Sequence, residues 1–188
     1  MFGKTNQSGF SLLELMMVIV IIAIIGSVTA PYLQQSTPRY ERETFIARFN
    51  TLLRYGWQQA LITHKTHRIN VDIGKKTISL TVESEGKDKS GEPAFIPIAN
   101  PVEDTVLLIP DHLNIKQFFI EGFDMMTKFS RSKTASVWFY IIPEGMVQNV
   151  VINLTDTKDV RDNKAQAVGL IINPFSAQLR IYDSFQKP

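Results

Sequence analysis

A long apolar stretch near the amino terminus constrains this chain more than any other feature of its sequence. Residues Phe10 to Ala30 are mostly apolar, and every side chain from Leu15 to Ile25 is apolar. A helix rises about 1.5 Å per residue and the hydrocarbon core of a bilayer is roughly 30 Å thick, so this stretch is long enough to cross it. The sequence therefore predicts a membrane-spanning helix over residues 10–31.

One carboxylate, Glu14, lies within the apolar stretch. A charge at the centre of a membrane helix costs on the order of 3 kcal/mol, and less near the interface, so an ionisable group there indicates a function and a partner. The nearest cation in the sequence is Lys4. Alternatively, the carboxylate extends to the lipid headgroups near the start of the helix.

The first residues do not follow the pattern of an ordinary secretory signal peptide. The apolar stretch exceeds the usual apolar region of about 7 to 15 residues. The only small-residue junction lies before Pro31, and Val28 stands two residues before Ala30, where a cleavage site has alanine. We therefore do not expect cleavage after Ala30.

Length and charge limit the remaining possibilities. The chain has 188 residues, which leaves one domain of moderate size beyond the apolar stretch. Its 20 basic and 18 acidic residues are interspersed and give a net charge of +2, so no nucleic-acid partner is expected. The sequence has no cysteine, which excludes disulfides and thiolate metal sites.

The residues around Glu14 resemble the prepilin N-terminal motif of type IV pilins and type II secretion pseudopilins. Gly9 is followed by Phe10, by Glu14 four residues later, and by the aliphatic helix. The resemblance implies that a prepilin peptidase removes the leader, residues 1–9, by cutting between Gly9 and Phe10, and that the new Phe10 amine is N-methylated.

The same resemblance implies a partner for Glu14 and an orientation in the membrane. In an assembled filament the carboxylate faces the positively charged amine of a neighbouring subunit's first residue, and the low dielectric strengthens their attraction. The resemblance also implies a single pass through the inner membrane with the C-terminal head in the periplasm. The positive-inside rule favours the opposite orientation, because Lys4 precedes the span while Arg39 and Arg42 are among the arginines that follow it.

Beyond the span, residues 32–66 predict an amphipathic continuation of the helix. Pro31 lacks an N–H and predicts a kink near the membrane surface. Apolar side chains then recur at steps of three and four residues, whereas Arg42 is assigned with other charged residues to the polar side. The apolar stripe comprises Phe45, Phe49, Leu52, Leu53, Gly56, Trp57, Ala60 and Leu61.

From residue 67 the apolar period changes to alternation, which predicts a β-rich head over residues 67–188. The fold class is therefore α+β, with the long N-terminal helix packed on an antiparallel sheet. A hairpin is predicted around the turn at Gly74, and a polar surface loop at residues 83–94. Further strands are predicted at Thr105–Ile109, Asn114–Ile120, Ser136–Ile142, Val147–Leu154, Ala167–Asn173 and Gln178–Asp183.

Within the family, the head most resembles the H-type minor pseudopilin, general secretion pathway protein H, and the related fimbrial protein T. The segments "FYIIPEG" and "LIINPFSAQLRIYD" carry this resemblance. Two departures are the longer spacing from Phe139 to Pro143 and a closing turn without glycine.

Two groups of residues have side chains of the kind that bind metals. His64 and His67 are three residues apart without an evident third ligand, so a solvated helix end is favoured. Asp156, Asp159 and Asp162 do not have the spacing of a calcium-binding EF-hand loop, and a hydrated turn is favoured over a calcium site. No metal or cofactor is therefore expected.

The expected role is structural. The aromatic stripe Phe118, Phe119 and Phe123 is interpreted as core or as a subunit contact. The sequence has no nucleophile elbow, zinc-protease motif or phosphate-binding loop, so an enzyme is not expected.

The resemblance implies a minor pseudopilin near the tip of the short periplasmic filament of type II secretion. Its partners would be other pseudopilins or pilins, the prepilin peptidase and the inner-membrane secretion platform. One alternative is a minor pilin of a type IV pilus or DNA-uptake system. Another is a single-pass anchored sensor or binding protein that keeps its first residues.

Overall fold

A computed structural model provides the structure of this chain. It describes residues 12–88, 91–99, 101–129, 136–161 and 163–188, with the backbone alone for residues 26–38 and 128–129.

The first element, α1, is one continuous helix from Leu12 to Thr63. It ends where His64 adopts a left-handed backbone conformation with φ of 51°, which terminates a helix. The chain divides into two compact units between Arg39 and Tyr40, so α1 contributes to both.

In the first unit, the aliphatic side chains of α1 up to Ile25 are exposed. Among the described residues, no helix meets the length and hydropathy needed to cross a membrane. The predicted span begins at Phe10, which lies outside the described residues, and it includes residues 26–31, whose side chains are not described.

The second unit contains the strands of the head. In chain order its elements are β1 (His67–Asp72), β2 (Thr77–Lys87), β3 (Pro93–Pro97), β4 (Val106–Leu108), β5 (Leu113–Ile120), β6 (Phe123–Asp124), α2 (Met126–Phe129), β7 (Ser136–Ile142), β8 (Met146–Val147), β9 (Val150–Arg161), β10 (Lys164–Ile172) and β11 (Leu179–Tyr182).

The described strands form two antiparallel sheets rather than the single sheet expected from the sequence. The first sheet has the order β3-β2-β1-β7-β8, with β4 also paired to β2. The second has the order β11-β10-β9-β5-β6. The α+β class and the antiparallel pairing are confirmed, and the predicted hairpin is β1 with β2, in which Ile69 faces Leu80.

Two of the sequence expectations about strands were wrong. The polar loop expected at residues 83–94 is in part strand, because β2 continues to Lys87 and Glu83 pairs with Phe95 of β3. The strand expected at Val147–Leu154 is two strands, of which β9 continues to Arg161.

The core of the head lies between the second half of α1 and both sheets. Phe49 and Leu53 of α1 are buried, and fully burying such a side chain contributes roughly 1.5–3 kcal/mol. Phe118 of the second sheet and Phe139 of the first are in ring contact, with centroids 6.3 Å apart. Apart from the exposed Leu61, the predicted helical stripe is therefore the face that joins helix to sheets. Phe118 is core as predicted, whereas Phe123 is exposed.

Helix α1 approaches the first sheet closely at Gly56. A Cβ atom built there would lie 2.9 Å from Leu80 Cδ1 and 3.0 Å from Ile141 Cδ1. Since real Cβ atoms rarely come this close to a neighbour, glycine allows the helix to sit against β2 and β7.

The carboxyl-terminal tail crosses the second sheet at a buried amide. Asn153 Nδ2 donates hydrogen bonds to the Gln186 carbonyl oxygen at 2.9 Å and to Gln117 Oε1 at 2.8 Å, and Gln186 N donates to Asn153 Oδ1 at 2.9 Å. A Cβ on Gly169 would lie 2.5 Å from the Ser184 carbonyl oxygen, so glycine leaves room for the tail.

Gly56→Val is expected to destabilise the head by about 1–3 kcal/mol, because the added methyl groups overpack the helix–sheet contact. Ala47→Val introduces the same side chain at an exposed position of the same helix and is expected to change stability much less. Urea denaturation of both variants, followed by tryptophan fluorescence, measures the difference. Equal stabilities of the two variants would contradict the close packing at Gly56.

Candidate functional site

Of the predicted processing site and the predicted charge in the apolar stretch, only the charge lies among the described residues. Gly9 and Phe10 lie outside the described residues. Glu14 lies near the described start of α1, and its side chain is exposed. Aliphatic neighbours are exposed as well, with Leu12 at 82% and Ile22 at 63%.

Helix α1 continues through Pro31 without a break. The kink predicted at Pro31 stays a prediction.

A buried ion-pair cluster fastens α1 to the second sheet. We call it the Arg42 cluster, after the three residues Arg42, Asp156 and Asp159. Arg42 Nη1 donates to Asp156 Oδ2 at 3.1 Å and to Asp159 Oδ2 at 2.8 Å. The Arg42 and Asp156 side chains are 8% and 0% exposed, so this pair is removed from water.

The local sequence patterns explain why these groups meet. Arg42 is three residues before Phe45, and residues three and four apart on a helix share a face. Ile152, Leu154 and Asp156 are at alternate positions of β9, so all three side chains point to the same, buried face of the sheet. The apolar face of α1 therefore ends in the positive charge of Arg42, and the apolar face of β9 ends in the negative charge of Asp156.

Backbone hydrogen bonds hold the acidic side of the cluster. The amides of Lys158 and Asp159 donate to Asp156 Oδ1 at 3.0 and 3.1 Å. Hydrogen bonds to the charged form stabilise a carboxylate, and its other oxygen is left for Arg42. The backbone of β9 therefore holds the Asp156 carboxylate in place without any contribution from α1.

A buried histidine, His112, connects the Arg42 cluster to the partly exposed Glu41. His112 is buried, with Nδ1 3.3 Å from Glu41 Oε2 and Nε2 3.9 Å from Asp156 Oδ1. Lys158 Nζ lies 3.6 Å from the same Glu41 oxygen. Two consecutive residues of α1, Glu41 and Arg42, thus contact groups from the second sheet and the turn before it.

These contacts correct two of the sequence interpretations. Arg42 is on the buried face of α1, not on its polar side. Asp156 and Asp159 belong to β9 and bind Arg42, rather than forming a hydrated turn, while Asp162 lies outside the described residues. The signal that could have identified Arg42 is its position on the apolar stripe, one turn before Phe45.

The two histidines do not form a solvated helix end together. His64 is exposed at the end of α1, whereas His67 begins β1 and is 1% exposed. Its Nδ1 is 3.0 Å from the Lys65 carbonyl oxygen. Within the described ranges, no group of three histidine or acidic side chains is arranged to bind a metal.

Burial lowers the pKa of His67 below its ordinary value of 6.5, and the hydrogen bond to the Lys65 carbonyl opposes part of this effect. The folded protein therefore keeps His67 neutral at a pH where the unfolded chain binds a proton.

Comparison with known proteins supports the motif and the fold separately. Residues 4–30 match the family described as the prokaryotic N-terminal methylation motif. The predicted resemblance of the amino terminus to prepilins is thereby confirmed over this segment. No curated protein matches the chain.

Two solved structures of the minor pseudopilin EpsH, from the type 2 secretion system of Vibrio cholerae, are similar to this chain. Each is 11% identical in sequence and covers 79% of this chain, and the TM-scores are 0.51 and 0.54. The match covers 99% and 97% of the two EpsH chains. At this identity the likeness shows the fold alone, and that fold is the one that the predicted resemblance of the head implies.

Arg42→Met is expected to lower the free energy of unfolding by about 3–5 kcal/mol, because it leaves the Asp156 carboxylate buried without a counter-charge. Arg54→Met, at an exposed position of the same helix, is expected to change it by about 0.5 kcal/mol or less. Adding Asp156→Asn to Arg42→Met should restore part of the loss, since the unpaired charge is removed. Urea denaturation of the four proteins tests this order, and equal effects of the two arginine variants would contradict it.

The free energy of unfolding is expected to fall as the pH drops below about 6.5, toward the lowered pKa of His67. Above pH 6.5 this group contributes no pH dependence, because it is neutral in both states. The slope attributable to His67 reaches at most about 1.4 kcal/mol per pH unit. His67→Gln should flatten the profile by this amount whereas His64→Gln should not, and a profile unaffected by His67→Gln would be evidence against the buried neutral ring.

Proposed function

We propose that this chain is a minor pseudopilin, a structural subunit near the tip of the periplasmic filament of a type II secretion system. The observation that carries the proposal is the methylation motif at residues 4–30 on a chain whose head has the fold of EpsH. In this proposal the protein is not an enzyme, and its activity is assembly.

The amino-terminal half of α1 is the anchor. Residues 1–9 are the leader removed by the prepilin peptidase, and residues 10–31 lie in the inner membrane with the head in the periplasm. The exposed aliphatic side chains between Leu12 and Ile25 support this assignment, because such a surface is covered by lipid or by other helices.

Glu14 is the assembly residue in this proposal. After cleavage, the amine of a neighbouring pseudopilin's first residue is the cation that pairs with its carboxylate. An attraction between two charges in a medium of low dielectric is strong only when the groups are close, so the pair selects one register between adjacent helices.

The Arg42 cluster supports a role in which force applied to the helix is transmitted to the head. In a filament, the helices form the central bundle and the inner-membrane secretion platform acts on them, so the head must move with its helix. The buried contact between Arg42 and two carboxylates of β9 couples the head to α1 at the end nearer the apolar segment.

The alternative is a minor pilin of a type IV pilus or DNA-uptake system, which shares the leader, the helix and the assembly logic. A head that binds DNA would give a salt-dependent mobility shift. Binding of this kind would favour the pilus over the secretion filament.

Co-expression with a prepilin peptidase is expected to remove residues 1–9 and to add one methyl group to the Phe10 amine. Mass spectrometry of the mature amino terminus measures both changes. An intact Met1, as in an anchored sensor, or cleavage after Ala30, as in a secreted protein, would contradict the proposal.

Glu14→Ala is expected to leave membrane insertion and cleavage intact and to reduce incorporation into the filament by tenfold or more. The reason is that truncating one member of a buried charge pair costs about 2–5 kcal/mol. Glu14→Asp keeps the charge and is the matched control, expected to retain more incorporation than Glu14→Ala. Normal secretion and normal filaments in Glu14→Ala would refute the pairing role.

A further inference from the structure

A pocket of about 310 Å³ lies on the outer face of the first sheet, away from the helix and from the Arg42 cluster. It is bounded by side chains from β1, β2, β3 and β7. Its volume is at the lower end of the range for ligand sites, which suits one long side chain rather than a cofactor.

The floor of the pocket is aromatic. The rings of Phe95 and Tyr140 are 5.7 Å apart between centroids. The Arg68 guanidinium carbon lies 4.2 Å from the centre of the Phe95 ring and 5.8 Å from that of Trp138. The structure thus already contains one cation on this aromatic surface, within the distance at which a ring face attracts a cation.

The rim of the pocket is acidic. Glu83, Asp88 and Glu92 line it, against Arg68 as the cationic lining residue. Among the described residues, neither Glu83 nor Glu92 takes part in an ion pair with a basic side chain. Glu83 and Glu92 alone outnumber the one guanidinium among the lining residues, which makes the pocket complementary to a positive charge.

We propose that this pocket binds a lysine or arginine side chain presented by an extended segment of a partner protein. The ring of Tyr140 and the free part of the Phe95 ring contact the aliphatic stem and the cation, and the two glutamates bind the cationic head. Phe95 belongs to β3, at the edge of the sheet, so an extended segment reaches the pocket without entering the core. The inference does not depend on the proposed filament role.

The test uses the full-length chain in a non-ionic detergent and a tetralysine peptide blocked at both ends. The control peptides are its fully Nε-acetylated form and a blocked tetraglutamate. Isothermal titration calorimetry at low salt is expected to give a dissociation constant for tetralysine only, because acetylation removes the charge and glutamate reverses it.

Variants separate this pocket from general surface charge. Glu83→Gln combined with Glu92→Gln is expected to weaken tetralysine binding about tenfold. Glu103→Gln combined with Glu144→Gln removes the same charge at exposed positions outside the pocket and is expected to leave binding within about twofold. Arg68→Met removes the resident cation from the Phe95 ring and is expected to tighten binding.

Three results would overturn the proposal: no binding of tetralysine, equal weakening by the two double variants, or preferential binding of tetraglutamate that Arg68→Met abolishes. The last result would identify Arg68 as the anchor for an acidic partner instead. Thermal midpoints of the variants equal to that of the parent protein show that any loss of binding is not a loss of folding.

Discussion

The head of this protein depends on where its long helix rests on the sheets, and one buried interaction sets that position. Removing the charges of Arg42 and Asp156 from water carries a desolvation penalty that the contact offsets only with good geometry. Here the guanidinium contacts two carboxylates, and two backbone amides hold the buried one. A helix shifted by one turn would leave Asp156 buried without a cation, so the pair specifies the register of helix and sheet. An apolar pair of similar size would contribute as much to the stability of the head.

The methylation motif matches residues 4–30 at the amino terminus, and the likeness to EpsH concerns the fold of the head. Helix α1 belongs to both, since it runs without a break from Leu12 to Thr63. The Arg42 cluster and the close approach at Gly56 bind its second half to the head at two separate points. The proposed filament role requires such attachment, because a subunit moved through its helix must carry its head with it.

The parts of the fold that follow from short-range patterns were predictable. The helical stripe from Phe45 to Ala60, the hairpin of β1 with β2 and the strand β7 are all encoded by apolar side chains at a regular period. The missed parts depend on partners distant in sequence. The end of β9 is polar because Asp156 is neutralised by Arg42, 114 residues earlier. The end of β2 is polar because it lies beyond the core, and alternation alone does not indicate that the strands divide between two sheets.

Hydrogen exchange of the full-length chain, measured by mass spectrometry across a range of denaturant, tests the central claim that helix and head are one cooperative unit. We predict that the amides of α1 between residues 43 and 60 exchange only through the same global opening as those of β9, and with the same free energy. In Arg42→Met, the helix amides should exchange through a separate opening of lower free energy. Helix amides that exchange independently of β9 in the parent protein would contradict the claim, because the head would then be folded without its helix.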